Sequence, residues 1–312
     1  MLAWSRYPDA TSEFPRLDKV NPTPLLYRSG SRLAGAYFSD SGCLLTATLN
    51  EDLGPCIIYT AIVASNVGGP DNIAVSNARW DDLIQFPVSV YRMAQDLGLP
   101  YETVRRYAAK LLARGLIERS SEGLIARHEG LSEPAIAGML TEFSGMTVKM
   151  HSSLQAMGAN LTTQGKIASP AHERRISAMS IHYFLKGVKI ATETLRVDPV
   201  PAMIHFTIHR ANLAHLDPLP GSEVLDSAHV HLDAARKPVS VFAVARNLNL
   251  PYETARRHVS RLSKLDLVRR QGEEGFIVPS DLLKTEPFVN CVKDTIQATY
   301  DFMEAAFSPR LH

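Results

Sequence analysis

The sequence predicts a mainly α-helical fold with small β-hairpins, assembled from one helical unit that occurs twice. Three observations predict it. A short helix, a tight turn, a second helix and a short apolar hairpin can be read between Pro87 and Arg127. Its leading part, PVSVYRMAQDLGLPYETVRRYAAKLLARGLIER, Pro87–Arg119, returns as PVSVFAVARNLNLPYETARRHVSRLSKLDLVRR, Pro238–Arg270, at a constant offset, 238 − 87 = 151. About half the positions are identical, the density that marks an internal repeat. Long apolar segments at helical spacing flank both copies.

Taken in order, residues 1 to about 45 are predicted to be irregular, because Pro8, Pro15, Pro22 and Pro24 interrupt any long element. The aromatics Trp4, Tyr7, Phe14, Tyr27, Tyr37 and Phe38 predict a segment that packs down; Arg6, Arg16, Lys19, Arg28 and Arg32 leave open an arm on nucleic acid. Leu53–Val67 is apolar nearly all round and reads as a buried helix ended by Gly68, Gly69 and Pro70. Val90–Leu97 is a short helix with Ser89 at its N-cap. Gly98, Leu99 and Pro100 form the turn, and Tyr101–Ala113 is the next helix, closed by Gly115. Leu116–Arg119 and Gly123–Arg127 read as two short strands around a polar turn.

A long helix, Glu133 to Met157, follows; Ser132-Glu133-Pro134 is its entry signature, and Met139, Phe143, Met146 and Met150 form a core stripe. After a polar stretch, Asn160–Arg175, Ile181, Phe184, Leu185 and Val188 place one apolar face on a helix over Ile176–Arg196. Gly187 interrupts its pattern. This helix is predicted to pack the two halves together. Val200–Leu213 is the counterpart of Leu53–Val67, since Pro55, Ile58, Ile62 and Asn66 align with Pro201, Ile204, Ile208 and Asn212. Thr285-Glu286-Pro287 opens a last helix to Phe307. The chain thus divides into an irregular segment, 1–45; a first repeat, 46–160; a connecting segment and helix, 161–196; and a second repeat, 197–312.

On Tyr101–Ala113 the residues Val104, Ala108 and Leu111 share one face, while Glu102, Arg105, Arg106 and Ala109 point outward and Tyr101 sits at the rim. With the hairpin behind it, Leu97–Arg119 resembles the winged helix-turn-helix of bacterial transcriptional regulators of the MarR, GntR and IclR type. Those families often carry Ser or Thr where Pro100 stands, so one cap and one phosphate contact are missing here. The resemblance implies a cytoplasmic, sequence-specific regulator of transcription that binds double-stranded DNA. In MarR-like proteins the flanking helices form a dimer interface. The resemblance therefore implies two winged helix-turn-helix units flanked by long helices in a pseudo-two-fold arrangement, in a pseudo-dimeric monomer or a homodimer. Recognition helices about 34 Å apart would then face two half-sites. It also implies a small-molecule effector between the helical core and the winged helices, with Tyr59, Trp80, Phe86, Phe184 and Phe206 as candidate liners.

The expected division of labour follows from side-chain chemistry. Arg105, Arg106, Arg256 and Arg257 can pair bidentately with guanine or hold phosphate. Tyr101 and Tyr252 suit a phosphate or a thymine methyl, or else cover the edge of the core. Glu102 and Glu253 can accept from cytosine, or stabilise the dipole of the first helical turn. Lys110, Arg119, Arg261 and Arg270 are phosphate candidates. Ala109 is replaced by Ser260 and Tyr107 by His258, which predicts similar but not identical half-sites.

Net charge is +1 over 312 residues, so nucleic-acid affinity must come from local patches rather than general basicity. Three cysteines, Cys43, Cys56 and Cys291, are odd in number and widely spaced, which fits a reducing compartment better than a disulfide framework. No apolar run approaches the ~20 residues of a membrane-spanning helix, and the N-terminus lacks the pattern of a signal peptide. His205 and His209 stand at i, i+4, but no acid or cysteine accompanies them at ligand spacing, so neither metal nor cofactor is predicted. No catalytic constellation is present in the sequence. Two other readings stay open: a replication initiator with tandem winged helices, and an interaction scaffold that uses winged helices without DNA.

Overall fold

The structure, a computed structural model, describes residues 24–68, 86–127, 133–216, 230–273 and 275–308. It is mainly helical, with two small antiparallel sheets. In chain order the elements are α1 (Pro24–Leu49), α2 (Leu53–Val67), α3 (Val90–Leu97), α4 (Tyr101–Ala113), β1 (Ile117–Arg119), β2 (Leu124–Ala126), α5 (Glu133–Ala156) and α6 (Pro170–Leu195). There follow α7 (Pro199–Leu213), α8 (Val241–Asn247), α9 (Tyr252–Lys264), β3 (Arg269–Gln271), β4 (Gly275–Ile277) and α10 (Glu286–Phe307). The order helix, short helix, helix, hairpin, long helix is therefore found from α2 to α5 and again from α7 to α10.

The expectation of an irregular segment to residue 45 is corrected from Pro24 onward, where α1 runs unbroken to Leu49. Pro24 occupies the first helical position, where its missing N–H costs nothing. Its buried face carries small polar residues. Ser29, Ser39, Ser41 and Thr46 are all buried. Ser41 satisfies its hydroxyl on the Tyr37 carbonyl at 2.8 Å, and Thr46 on that of Cys43 at 2.9 Å. Small residues let neighbours approach: a side chain at Gly30 would strike Ile296 of α10, and one at Gly42 would press on Leu53 of α2.

Helix α6 starts at Pro170, six residues before the predicted Ile176, because Ser169 caps it by accepting from the His172 N–H at 3.1 Å. It packs against both long helices, α5 and α10, as the apolar face predicted, and α1 packs against the same two. Gly187 does not break α6. Its bare Cα leaves the space that the Phe38 ring of α1 fills. At this crossing Tyr37 and Phe38 of α1 meet Tyr183 of α6 and Phe302 of α10; the Tyr183 and Phe302 rings stack at 4.4 Å, and Tyr37 meets Tyr183 edge-on at 5.3 Å. The phenols are satisfied, Tyr37 by Thr147 at 3.0 Å and Tyr183 by Thr299 at 2.6 Å. One continuous core thus joins elements of both halves.

Each hairpin is held by a buried asparagine at the end of the preceding apolar helix. The amide of Asn66 donates to the carbonyls of Phe86 at 2.8 Å and Leu124 at 3.1 Å, and its oxygen accepts from the Ala126 N–H at 2.7 Å. Asn212 does the same for Lys237 at 2.8 Å, Phe276 at 3.0 Å and Val278 at 2.9 Å. Val88 bridges Leu124 and Val239 bridges Phe276, so a third strand fragment lies beside each pair. Gly123 and Gly275, at φ of 155° and 156°, abut the backbones of Val88 and Val239, where a Cβ has no room. Among the described residues no helix is long and apolar enough to cross a membrane.

Replacing Asn66 or Asn212 by Ala removes three hydrogen bonds and leaves one carbonyl and one buried N–H unsatisfied, since Leu124 and Phe276 still accept from Val88 and Val239, and is expected to lower the unfolding free energy by about 2–3 kcal/mol in urea titration. A loss below about 0.5 kcal/mol contradicts the clamp. Gly187→Ala forces the α1–α6 crossing apart and is expected to cost about 1–3 kcal/mol in the same assay, whereas an exposed helical Gly→Ala change stabilises.

Candidate nucleic-acid interface

All twelve residues singled out from the sequence are exposed, while Val104, Ala108 and Leu111, and likewise Ala255, Val259 and Leu262, are buried. The local reason is the helical period. In α4 and α9 the apolar side chains occupy one face against α2 and α7 respectively, and Arg105, Arg106, Arg256 and Arg257 turn to solvent. Ser89 and Ser240 cap the preceding short helices by accepting from N–H groups at 3.1 and 3.2 Å. Gly98 and Asn249 supply the left-handed residue of the two turns.

The exposed cations are not equivalent. Arg105 pairs with Glu102 at 2.8 Å and Arg256 with Glu253 at 2.9 Å, the same i, i+3 pair in both helices. With side chains more than half exposed, such pairs hold the guanidinium loosely. Arg106 lies over the Tyr107 ring, 5.2 Å from its centroid. Neither Arg106, Arg257 nor Arg119 has a carboxylate partner among the described residues. Arg270 donates to the Gly272 carbonyl at 3.3 Å across the hairpin turn.

Lys110 and Arg261, read from the sequence as phosphate contacts, are engaged inside the chain. The Lys110 ammonium meets Glu51 at 2.7 Å and Asp52 at 2.9 Å, and Arg114 joins the same Glu51 at 2.8 Å. The hydrogen bond to Glu51 is the main reason the Lys110 pKa is raised above its ordinary value, with Asp52 adding to it. Arg261 reaches Asp198 at 3.3 Å. Asp52 and Asp198 immediately precede α2 and α7, so these cations fasten α4 and α9 to those helices. Sequence periodicity could place them outward but could not show which acid lay opposite.

The structure adds two residues that the sequence reading missed. Tyr91 and Phe242, at the starts of α3 and α8, are 58% and 65% exposed. They sit at the same offset of 151 as the rest of the repeat, which was the available signal. With Tyr101 and Tyr252, each half has two exposed aromatics, one at the start of each helix of its helix pair.

Two of the predicted effector liners are core residues. Phe184 is fully buried core, and Tyr59 is buried with its hydroxyl on the Arg127 carbonyl at 3.2 Å. Phe86 lies beside the Asn66 clamp, Trp80 falls outside the described residues, and Phe206 lines a cavity bounded by α1, α6, α7 and α10.

Each half therefore offers an exposed helix carrying an acid, two arginines and an aromatic, next to a hairpin that carries Arg119 in the first half and Arg269 and Arg270 in the second. Guanidiniums of this kind suit phosphate and guanine, and aromatic side chains suit sugar and methyl edges. Comparison of the sequence with protein-family models and with curated proteins, and of the fold with solved structures, finds no match.

Glu51→Gln removes the buried carboxylate shared by Lys110 and Arg114 and is expected to cost about 1–2 kcal/mol in urea titration, discounted because both cations are half exposed. Arg106→Ala is expected to cost less than about 0.5 kcal/mol. Equal losses would erase the distinction drawn between fastening and presented charges.

Proposed function

We propose that the chain is a sequence-specific double-stranded DNA-binding regulator of transcription. In this reading α3–α4 with β1–β2, and α8–α9 with β3–β4, are two winged helix-turn-helix units. They are related by an approximate two-fold axis and flanked by the long helices α5, α6 and α10. The observation that carries it is the recurrence of Pro-Tyr-Glu-Thr-x-Arg-Arg on two exposed helices. Core positions repeat whenever a module is duplicated. Exposed Tyr, Glu and paired Arg repeat only where the surface itself has a use, and exposed surface otherwise drifts.

In this reading α4 and α9 enter successive major grooves, with Arg106 and Arg257 as the cations most available to bases or phosphates. Arg105 and Arg256 can exchange their glutamates for phosphate at little cost, because exposed pairs are weak. Glu102 and Glu253, once released, face the groove and disfavour wrong positions by repelling phosphate. Arg119, Arg269 and Arg270 on the hairpins lie along the backbone. Pairing of Lys110 and Arg261 with internal acids favours a fastening role for them over a DNA contact.

Selection of bound duplexes from a random pool, followed by footprinting, tests the proposal. Two similar half-sites are expected, with affinity falling steeply as salt rises. Arg106→Ala and Arg257→Ala are each expected to weaken the selected site by about tenfold or more while leaving the fold intact. Two unrelated half-sites, or no sequence preference, would count against a regulator, and weak binding that is flat with salt favours a protein-binding scaffold. Protection of an iterated array of sites at an origin, rather than at a promoter, favours a replication initiator.

A further inference from the structure

The cavity that Phe206 lines has a volume of about 360 Å³ and lies between α1, α6, α7 and α10, closed on another side by the segment from Val230 to Arg236. That size is within the range of small-molecule sites. Much of its wall is apolar, including Phe206, Leu283 and Phe288. Beside the hydroxyls of Ser29, Ser31 and Thr295, its polar groups are basic side chains. Arg28, Arg32 and Arg236 line it with His205, His209 and His231, and Arg210 at its edge is paired with Asp40 at 2.5 Å. Among the described residues no aspartate or glutamate lines it.

Arg236 is 3% exposed. Its Nη2 donates to the His231 carbonyl at 3.1 Å, but Nε and Nη1 have no hydrogen-bond acceptor. The nearest carboxylate, Asp233, stands off at 3.7 Å, and its Oδ1 already accepts from the Ser280 N–H at 2.6 Å. His205 is 1% exposed and its Nδ1 is also without a partner. A buried guanidinium with two unused donors is costly to the fold unless something satisfies it. Burial pushes the Arg236 pKa down to about 10, with Arg32 adding to the effect against Asp233. Burial, then the positive charge of Arg236, holds His209 well below its ordinary value. The cavity therefore has surplus positive charge, idle donors and an apolar wall. The arginines disfavour a metal cation and favour an anion.

We propose that this cavity binds a small organic anion, its acidic group accepting from Arg236 and its apolar body lying against Phe206, Leu283 and Phe288. The binding itself does not depend on the DNA reading. One link leads from it to the second hairpin. Asp233 stands 3.7 Å from both Arg236 and Arg269 of β3. An acid that draws Arg236 toward itself frees Asp233 for Arg269. On the proposed function, that step makes the occupant an effector of the second DNA-binding unit.

Isothermal titration of the full chain with decanoate, phenylbutyrate, the two corresponding alcohols and inorganic phosphate tests the site. The carboxylates share their bodies with the alcohols and their charge with phosphate. At least one carboxylate is expected to bind one-to-one, and about tenfold or more tighter than its alcohol or phosphate. Which carboxylate prevails separates a straight-chain from an aromatic ligand. Arg236→Met is expected to abolish the preference of carboxylate over alcohol. Should that variant fail to fold, Gly35→Leu decides: a side chain there meets nothing within 4 Å and lies on the cavity wall. Replacing a helical glycine by leucine favours the helix, so the variant is expected to hold or raise Tm while weakening the carboxylate about tenfold or more. Neither carboxylate binding, equal binding of acid and alcohol, phosphate binding as tightly as the acids, or unchanged binding in Gly35→Leu overturns the proposal. The heats are read without DNA. A carboxylate that binds but leaves a protein–DNA complex unchanged removes only the link to the hairpin. A chain that binds the acid and no DNA removes only the regulator.

Discussion

Two buried side-chain amides, those of Asn66 and Asn212, fix where the rest of the exposed surface can be. Each sits at the end of an apolar helix in the core and satisfies three backbone groups of the adjoining hairpin and its neighbouring strand fragment. Strands of three residues are too short to hold their own register. The amide supplies what the ladder lacks, so the position of each hairpin is set by the core rather than by the loop. Helices α4 and α9 are fastened to the same two core helices from the other side, through Lys110 with Glu51 and Asp52, and through Arg261 with Asp198. The arginine-bearing surfaces are thus rigid extensions of α2 and α7.

Much of this was legible because repetition filters a sequence. Val90–Leu97, Tyr101–Ala113 and Glu286–Phe307 have the bounds their capping residues predicted. Asn66 and Asn212 were aligned by offset, yet nothing in periodicity announces that an asparagine is a clamp, since its partners lie 20 to 66 residues away. Helix α1 escaped the sequence because prolines up to Pro24 read as breaks through residue 45, whereas Pro24 opens the helix and Gly30 and Gly42 let α10 and α2 come close. Gly187 misled in the same direction: a glycine that looks like a helix defect is the socket for Phe38.

The candidate surface shows a complementary limit. Exposure of the ten helical residues among the twelve followed from helical spacing, but their pairing did not, because Glu51 and Asp52 lie far from Lys110 in sequence. The cavity was still less accessible. Arg28 and Arg32 fell in the segment read as irregular, Arg236 belongs to no regular element, and the histidines at 205 and 209 drew attention as metal ligands when their neighbours are arginines. Sites assembled from four elements leave no local pattern to read.

The contact between Gly54 and Tyr107 has its own implication. The phenol occupies the space of the side chain that Gly54 lacks, and the related positions in the second half hold Val200 and the smaller His258. Bulk has moved from one partner to the other, so the two halves have diverged by paired exchanges. In an assembly of two identical chains every mutation is written into both subunits at once. Here each half keeps its own copy, and one can be retuned while its twin stays as it was.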